Sequence, residues 1–254
     1  MNHIIVREST AEIRAIARNA LKDNWIRVVI GMFVYYILTT TVPELLAALI
    51  PGSVMTYYNE LIGESYSLSY VASLYNMLLS GAFTLGLNSF LLSFFRKRDI
   101  NPGYIFNGFE YFFKALGLMI VMGVFVFLWS LLFIIPGIIA VFRYSQAFFI
   151  LADDPSKGIM ECINESKYRM NGNKGKYFCL NLSFIGWMIL SMLPVLLLPY
   201  FDGIAGIAAD LVYSIPWYFF TAYSYTADVT FYDLVTGNLV ARPEGSFNES
   251  DYHF

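Results

Sequence analysis

Charge is what this sequence has least of. Only 14% of its 254 residues are Asp, Glu, Lys or Arg, where a soluble domain carries about 25%. So little polar surface cannot coat a water-soluble globule of this length, and an ordinary soluble fold is excluded. Histidine is scarce too: His3 and His253 stand near the two termini, with no HExxH context. That argues against a zinc site or a histidine-based catalytic centre. The two cysteines, Cys162 and Cys179, form no CxxC pair and have no His or Cys cluster beside them. No metal and no cofactor is implied. P-loop and GxSxG motifs are absent, which leaves no phosphate-cradling loop and no nucleophile elbow. The net charge of −3 gives no electrostatic footprint for nucleic acid.

What is present is apolar sequence in long blocks, 57% of residues being hydrophobic. A helix needs about 20 residues, at about 1.5 Å each, to cross about 30 Å of hydrocarbon. The blocks predict an all-α, polytopic membrane protein with six spans, over residues 25–49, 69–95, 114–135, 136–152, 176–198 and 204–233. The stretch 114–152 is too long for one span, and "IPG" at 135–137 divides it. Pro136 lacks an N–H and suits the first turn of a new helix, and Gly137 frees the backbone to reverse. The spacing therefore predicts a tight helical hairpin turning at Pro136 and Gly137. Pro216 predicts a kink in the sixth span.

Basic residues are missing from one side of this layout. All 16 Lys and Arg residues but Arg143 lie before or at the start of span one, between spans two and three or four and five up to the first residue of the later span, or after six. The opposite loops carry Glu60, Glu64 and Asp202. The positive-inside rule then predicts cytoplasmic N- and C-termini. No short apolar region with a small-residue cleavage site opens the chain, so the N-terminus is expected to be retained.

The exception sits inside "FIIPGIIAVFRYSQAFFILADD", residues 133–154. Arg143 falls about 10 Å below the outer face by helical rise. An arginine there costs about 2.5–3.5 kcal/mol or more, so it should face the bundle and find a partner. Asp210 matches its depth best, and Glu44 is the second candidate. Such an intramembrane site is either a gate or solute site, or a structural tie that orients the short fourth span. The structural tie is preferred.

Outside the bilayer, residues 1–24 predict an interfacial amphipathic helix. Ser9 and Glu12 make a capping box. Ile13, Ile16, Ala17, Ala20 and Leu21 form one stripe, with Arg14, Arg18 and Lys22 opposite and Trp25 as an aromatic anchor. Lipid is preferred over a partner protein as the surface it lies on. Arg96, Lys97 and Arg98 after span two, and Lys174 and Lys176 at the start of span five, are further membrane-surface anchors. A second, central cytoplasmic helix is expected after span four, capped by Asp154, opened by Pro155 and stopped at Asn171-Gly172. Its stripe is Ile159, Ile163 and Met170. Residues 234–254 form a polar cytoplasmic tail.

The segments "AIARNALKDNW", "IPGIIAVFRYSQAFFILADDP", "SKYRMNGNKGKYFCLNLSFIGW" and "FYDL" occur in that order. Together they resemble the bacterial integral-membrane family called domain of unknown function 975, from about Arg14 to Leu234. The segment "MLPVLLLPYFDG" departs from that family's glycine-richer pattern. The resemblance implies a multi-span protein of the bacterial plasma membrane and brings no established activity or catalytic residue.

Three activities are compatible with this pattern. A non-enzymatic accessory or structural membrane protein is preferred, with the bilayer and other membrane proteins as partners. A small transporter or permease subunit with a site at Arg143 is the alternative, its substrate unspecified. A lipid-metabolising enzyme comes third. "DGIAGIAAD" lacks the arginine and downstream aspartates of alcohol phosphotransferases, and "DDP" is explained by helix capping more simply than by Mg²⁺.

Overall fold

The structure is a computed structural model describing residues 3–50, 52–59, 63–199, 201 and 203–239. Its helices are α1 (Thr10–Leu21), α2 (Trp25–Tyr36), α3 (Val42–Leu49), α4 (Tyr70–Lys97), α5 (Phe112–Leu132) and α6 (Ile134–Tyr144), followed by α7 (Ala147–Asp153), α8 (Ile159–Arg169), α9 (Lys174–Leu182), α10 (Ile185–Leu197), α11 (Gly203–Tyr213) and α12 (Ile215–Thr236). Two strands, β1 (Val54–Asn59) and β2 (Glu64–Ser69), pair antiparallel with Val54 opposite Ser69. Glu60, Asp202, Arg242, His253 and most of the tail lie outside the described residues.

Five helical stretches are long and apolar enough to cross a membrane: Trp25–Leu49, Tyr70–Lys97, Pro102–Leu132, Ile134–Asp153 and Lys174–Leu197. The pair α11 and α12, bent by 49°, counts as a sixth. These are the helices of a multi-pass membrane protein. Their surfaces agree with lipid as solvent: Phe127, Leu131, Ile134, Leu196 and Leu197 are all exposed, an arrangement water does not tolerate over so wide an area.

The first span changes pitch midway. Pro43 has no N–H to return to the preceding turn, and Ile37–Thr41 widens into a π segment in which the Val42 N–H reaches the Ile37 carbonyl. The Leu38 carbonyl thus freed accepts from the Tyr75 hydroxyl of α4 at 2.8 Å. Packing between α4 and the 3₁₀ segment Pro102–Tyr111 depends on missing side chains. A Cβ on Gly86 would strike the Ile105 carbonyl, and one on Gly108 would strike that of Ala82. Small residues let backbones approach where lipid gives no hydrophobic drive.

Several expectations are corrected. The hairpin between spans three and four turns at Phe133, whose extended backbone (φ −163°, ψ 156°) separates α5 from α6. Pro136 and Gly137 already lie inside the first turn of α6. Gly137 serves close packing rather than reversal, because a Cβ there would collide with the Ser130 hydroxyl of α5. The fold is not wholly helical, since the polar stretch after span one contains the β-hairpin. The central helix begins at Ile159 and is capped at Gly158, whose N–H donates to the Glu161 carboxylate at 2.7 Å. Asp154 instead accepts from the Ser156 N–H and hydroxyl in a local turn, and Gly172 (φ 78°) stops the chain where expected. The tail starts later than residue 234: Leu234 and Val235 are buried in α12, which runs to Thr236.

The apolar stripe of α1 is not left for lipid. Ile13, Ile16, Ala17, Ala20 and Leu21 are buried, and α1 lies along α12 and touches α9. Ile163 and Met170 of the central helix are likewise buried inside the protein. The capping box at Ser9 and Glu12 forms as predicted, at 3.2 and 2.5 Å. The core gathers at the end of the bundle that carries α1 and the C-terminal turns of α4 and α12, around Phe90, Phe94, Phe231 and Tyr232. We call this the basic end.

Candidate functional site

Among the described residues Arg143 forms an ion pair neither with Asp210 nor with Glu44. Depth along the helix matched, but direction around it did not. α6 packs on α5, α8 and α9, whereas α11, which carries Asp210, packs on α3, α10 and α12. Asp210 accepts from the Tyr36 hydroxyl at 2.6 Å, and that hydroxyl lies 3.3 Å from Ser214 Oγ. Glu44 and Asp210 line one cavity of about 550 Å³, together with Val54 and Ser67 of the β-hairpin and Phe201.

The Arg143 neighbourhood is organised through its backbone. The fourth span breaks between Tyr144 and Ala147, and a hydroxyl from α8 fills the gap. Ser166 Oγ donates to the Arg143 carbonyl at 2.9 Å and accepts from the Gln146 N–H at 3.2 Å. The Arg143 carbonyl and the Gln146 N–H at the break are thereby satisfied.

The densest charge cluster lies at the basic end. The Arg96 guanidinium donates through Nε and Nη2 to Asp233 (3.1 and 2.6 Å) and through Nη1 and Nη2 to Asp153 (2.5 and 3.2 Å). The Tyr232 hydroxyl donates to Asp153 at 3.0 Å and the Asn238 amide to Asp233 at 3.2 Å. The planar fork of arginine suits two carboxylates at once. Asp233 is nearly enclosed, its side chain 3% exposed, while Arg96 keeps 27%. The node ties the C-terminal ends of α4, α7 and α12, which are the ends of spans two, four and six at the basic end. Beside it is a cavity of about 350 Å³ lined by Ser89, Ser93, Asn107 and Glu110.

A second tie holds α8. Glu165 takes Lys157 at 2.7 Å and Arg169 at 2.6 Å, and Arg169 also donates to the Val235 carbonyl at 3.1 Å. Lys114 donates to the Pro155 carbonyl at 2.6 Å. The Asp154 carboxyl is held below the usual carboxylate range by its hydrogen bonds from Ser156. Burial pushes the Cys162 thiol of α8 up to about 11, so it is no nucleophile at neutral pH. Among the described residues no three His, Cys, Asp or Glu side chains are grouped to hold a metal ion.

The expected anchors divide. Arg96 is consumed by the node, and Arg98 donates to the Ala20 carbonyl of α1. Lys22 and Lys97 are exposed, and Lys174 and Lys176 are half-buried. Arg14, Arg18 and Trp25 line a groove along α10 and α12. Sequence reasoning missed Asn173, a buried clamp. Its carbonyl oxygen accepts from the Val6 N–H at 2.9 Å, and its amide donates to the carbonyls of Ile4 and Arg169, both at 2.7 Å. It also missed Asp153 and Asp233 as partners of Arg96. The available signal was three charges at the same ends of their spans.

A family model described as a protein of unknown function (DUF975) matches residues 1–141 and 131–239. No curated protein and no solved structure matches the chain.

Proposed function

Because the chain belongs to the DUF975 family, whose description carries no activity, we propose a role from the placement of its charges: a non-enzymatic accessory protein of the bacterial plasma membrane. It crosses the bilayer six times and keeps the basic end and both termini in the cytoplasm. The observation that carries this is the Arg96 node. Strong acids and bases from three spans are spent on one another, so they fix the bundle instead of facing a substrate. The Glu165 tie does the same for the central helix. A rigid basic-end platform of α1, α8, α9 and the end of α12 is then the surface offered to another membrane protein.

A second reading draws on the cavity shared by Glu44 and Asp210 at the opposite end, which suits a small transporter for a cationic or hydrogen-bonding solute. Asp210→Cys in a cysteine-free background, which puts the thiol in that cavity, separates the two. An accessory protein with a closed core leaves that cysteine unlabelled by an impermeant thiol reagent from either side. Labelling that a solute blocks would replace the accessory reading with the transporter.

A further inference from the structure

We infer that the groove between α1, α10 and α12 holds an anionic phospholipid taken laterally from the bilayer, its headgroup on Arg14 and Arg18 and its acyl chain against Trp25, Trp187, Phe219 and Tyr223. The groove has a volume of about 830 Å³, within the range of about 300–1,000 Å³ that a single small ligand fills. Its walls are apolar and aromatic, with Trp25 stacked on Phe219 at 6.4 Å between centroids. Trp187 is 55% exposed and Phe219 42%, so the groove opens through a helical surface whose solvent is lipid.

The two arginines of the groove have no acidic partner among the described residues. Arg96, Lys157 and Arg169 each have a carboxylate within 2.7 Å, but among the described residues neither Arg14 nor Arg18 has one. Arg14 Nη1 donates only to the Ser183 carbonyl, at 3.3 Å, and its Nε is buried with no hydrogen-bond partner. A buried donor left unmade is costly, and a guanidinium is matched by the oxygens of a phosphate. Cations at one end of an apolar trough complement an amphiphile with a negative head. A free anion would leave the trough empty, and an uncharged lipid would leave the arginines unpaired. The inference stands apart from the accessory role, since a lipid site fits a transporter equally well.

The test uses the full chain with Trp129 and Trp217 changed to Phe, so that fluorescence reports the groove pair Trp25 and Trp187. It is reconstituted in phosphatidylcholine nanodiscs holding a small fraction of brominated phosphatidylglycerol or of brominated phosphatidylcholine. The brominated anionic lipid should quench at a much lower mole fraction, by roughly five-fold per arginine, the factor expected for one cation at an anionic membrane surface. R14Q/R18Q should abolish that preference. R18Q alone changes an exposed side chain, so it folds even where the double variant does not, and it should lower the preference by about five-fold. Equal quenching by both lipids, or a preference unchanged in R18Q, overturns the site. Relief of quenching by inorganic phosphate overturns the lipid assignment, because it would show a free anion on the arginines.

Discussion

The Arg96 guanidinium and the Asp233 carboxylate meet at 2.6 Å across 137 residues of sequence, joining the second and sixth spans at the basic end. Nothing local brings them together, and Asp233 is nearly closed to solvent. The pair is therefore a measure of how the bundle is assembled.

Arg96→Gln should destabilise the protein by about 3–5 kcal/mol, because it leaves the enclosed Asp233 and its neighbour Asp153 uncompensated. Thermal unfolding in detergent checks this. R96M combined with Asp233→Leu and Asp153→Asn should recover most of the loss. If R96Q melts with the wild type, the node ties nothing.

Asn173→Ala removes three hydrogen bonds to backbone groups near the N-terminus and the end of α8. The expected cost is about 1–3 kcal/mol for the groups left unpaired, concentrated in the docking of residues 3–8. Hydrogen exchange should show the Val6 amide losing protection while amides of α4 keep theirs. Uniform loss throughout would contradict a local clamp.

Gly137→Ala should cost about 1–3 kcal/mol, since its methyl enters the space of Ser130 Oγ and overpacking carries that penalty. Ser130→Ala should restore part of it. Pro136→Ala should be tolerated, because a first-turn position has no intrahelical N–H bond to lose. A collapse of the hairpin in P136A would return the turn to residues 136–137.

Cys162 should stay unmodified by iodoacetamide at neutral pH in the folded protein and react once the protein is unfolded. Its thiol is raised to about 11 by burial, so the native state favours the neutral form. That contribution is present below the ordinary thiol pKa of 9.0 and fades as pH rises through about 11. Intact-mass measurement across pH reads it. Rapid alkylation of Cys162 at pH 7 would contradict the burial.

The sequence made the one-dimensional features legible. The apolar blocks, the capping box at Ser9 and Glu12, the bend next to Pro216 and the stop at Gly172 all depend on local spacing. What it concealed depends on direction around a helix axis. Arg143 and Asp210 share a depth but face different neighbours, and rise per residue carries no azimuth. The stripe of α1 was recognisable as apolar, yet a stripe does not state whether lipid or α12 will cover it. The β-hairpin hid behind serines and tyrosines that also suit a loop. Asn173 gave no local sign of a clamp, because its role is written in the backbone of Ile4 and Val6, about 170 residues earlier.

The central claim is that six crossings leave the basic residues on one cytoplasmic side. The most direct measurement is protease accessibility of epitope tags at the two termini, in intact and permeabilised cells. Both tags should be cleaved only after permeabilisation. Cleavage of one tag and protection of the other in intact cells would mean an odd number of crossings and end this account.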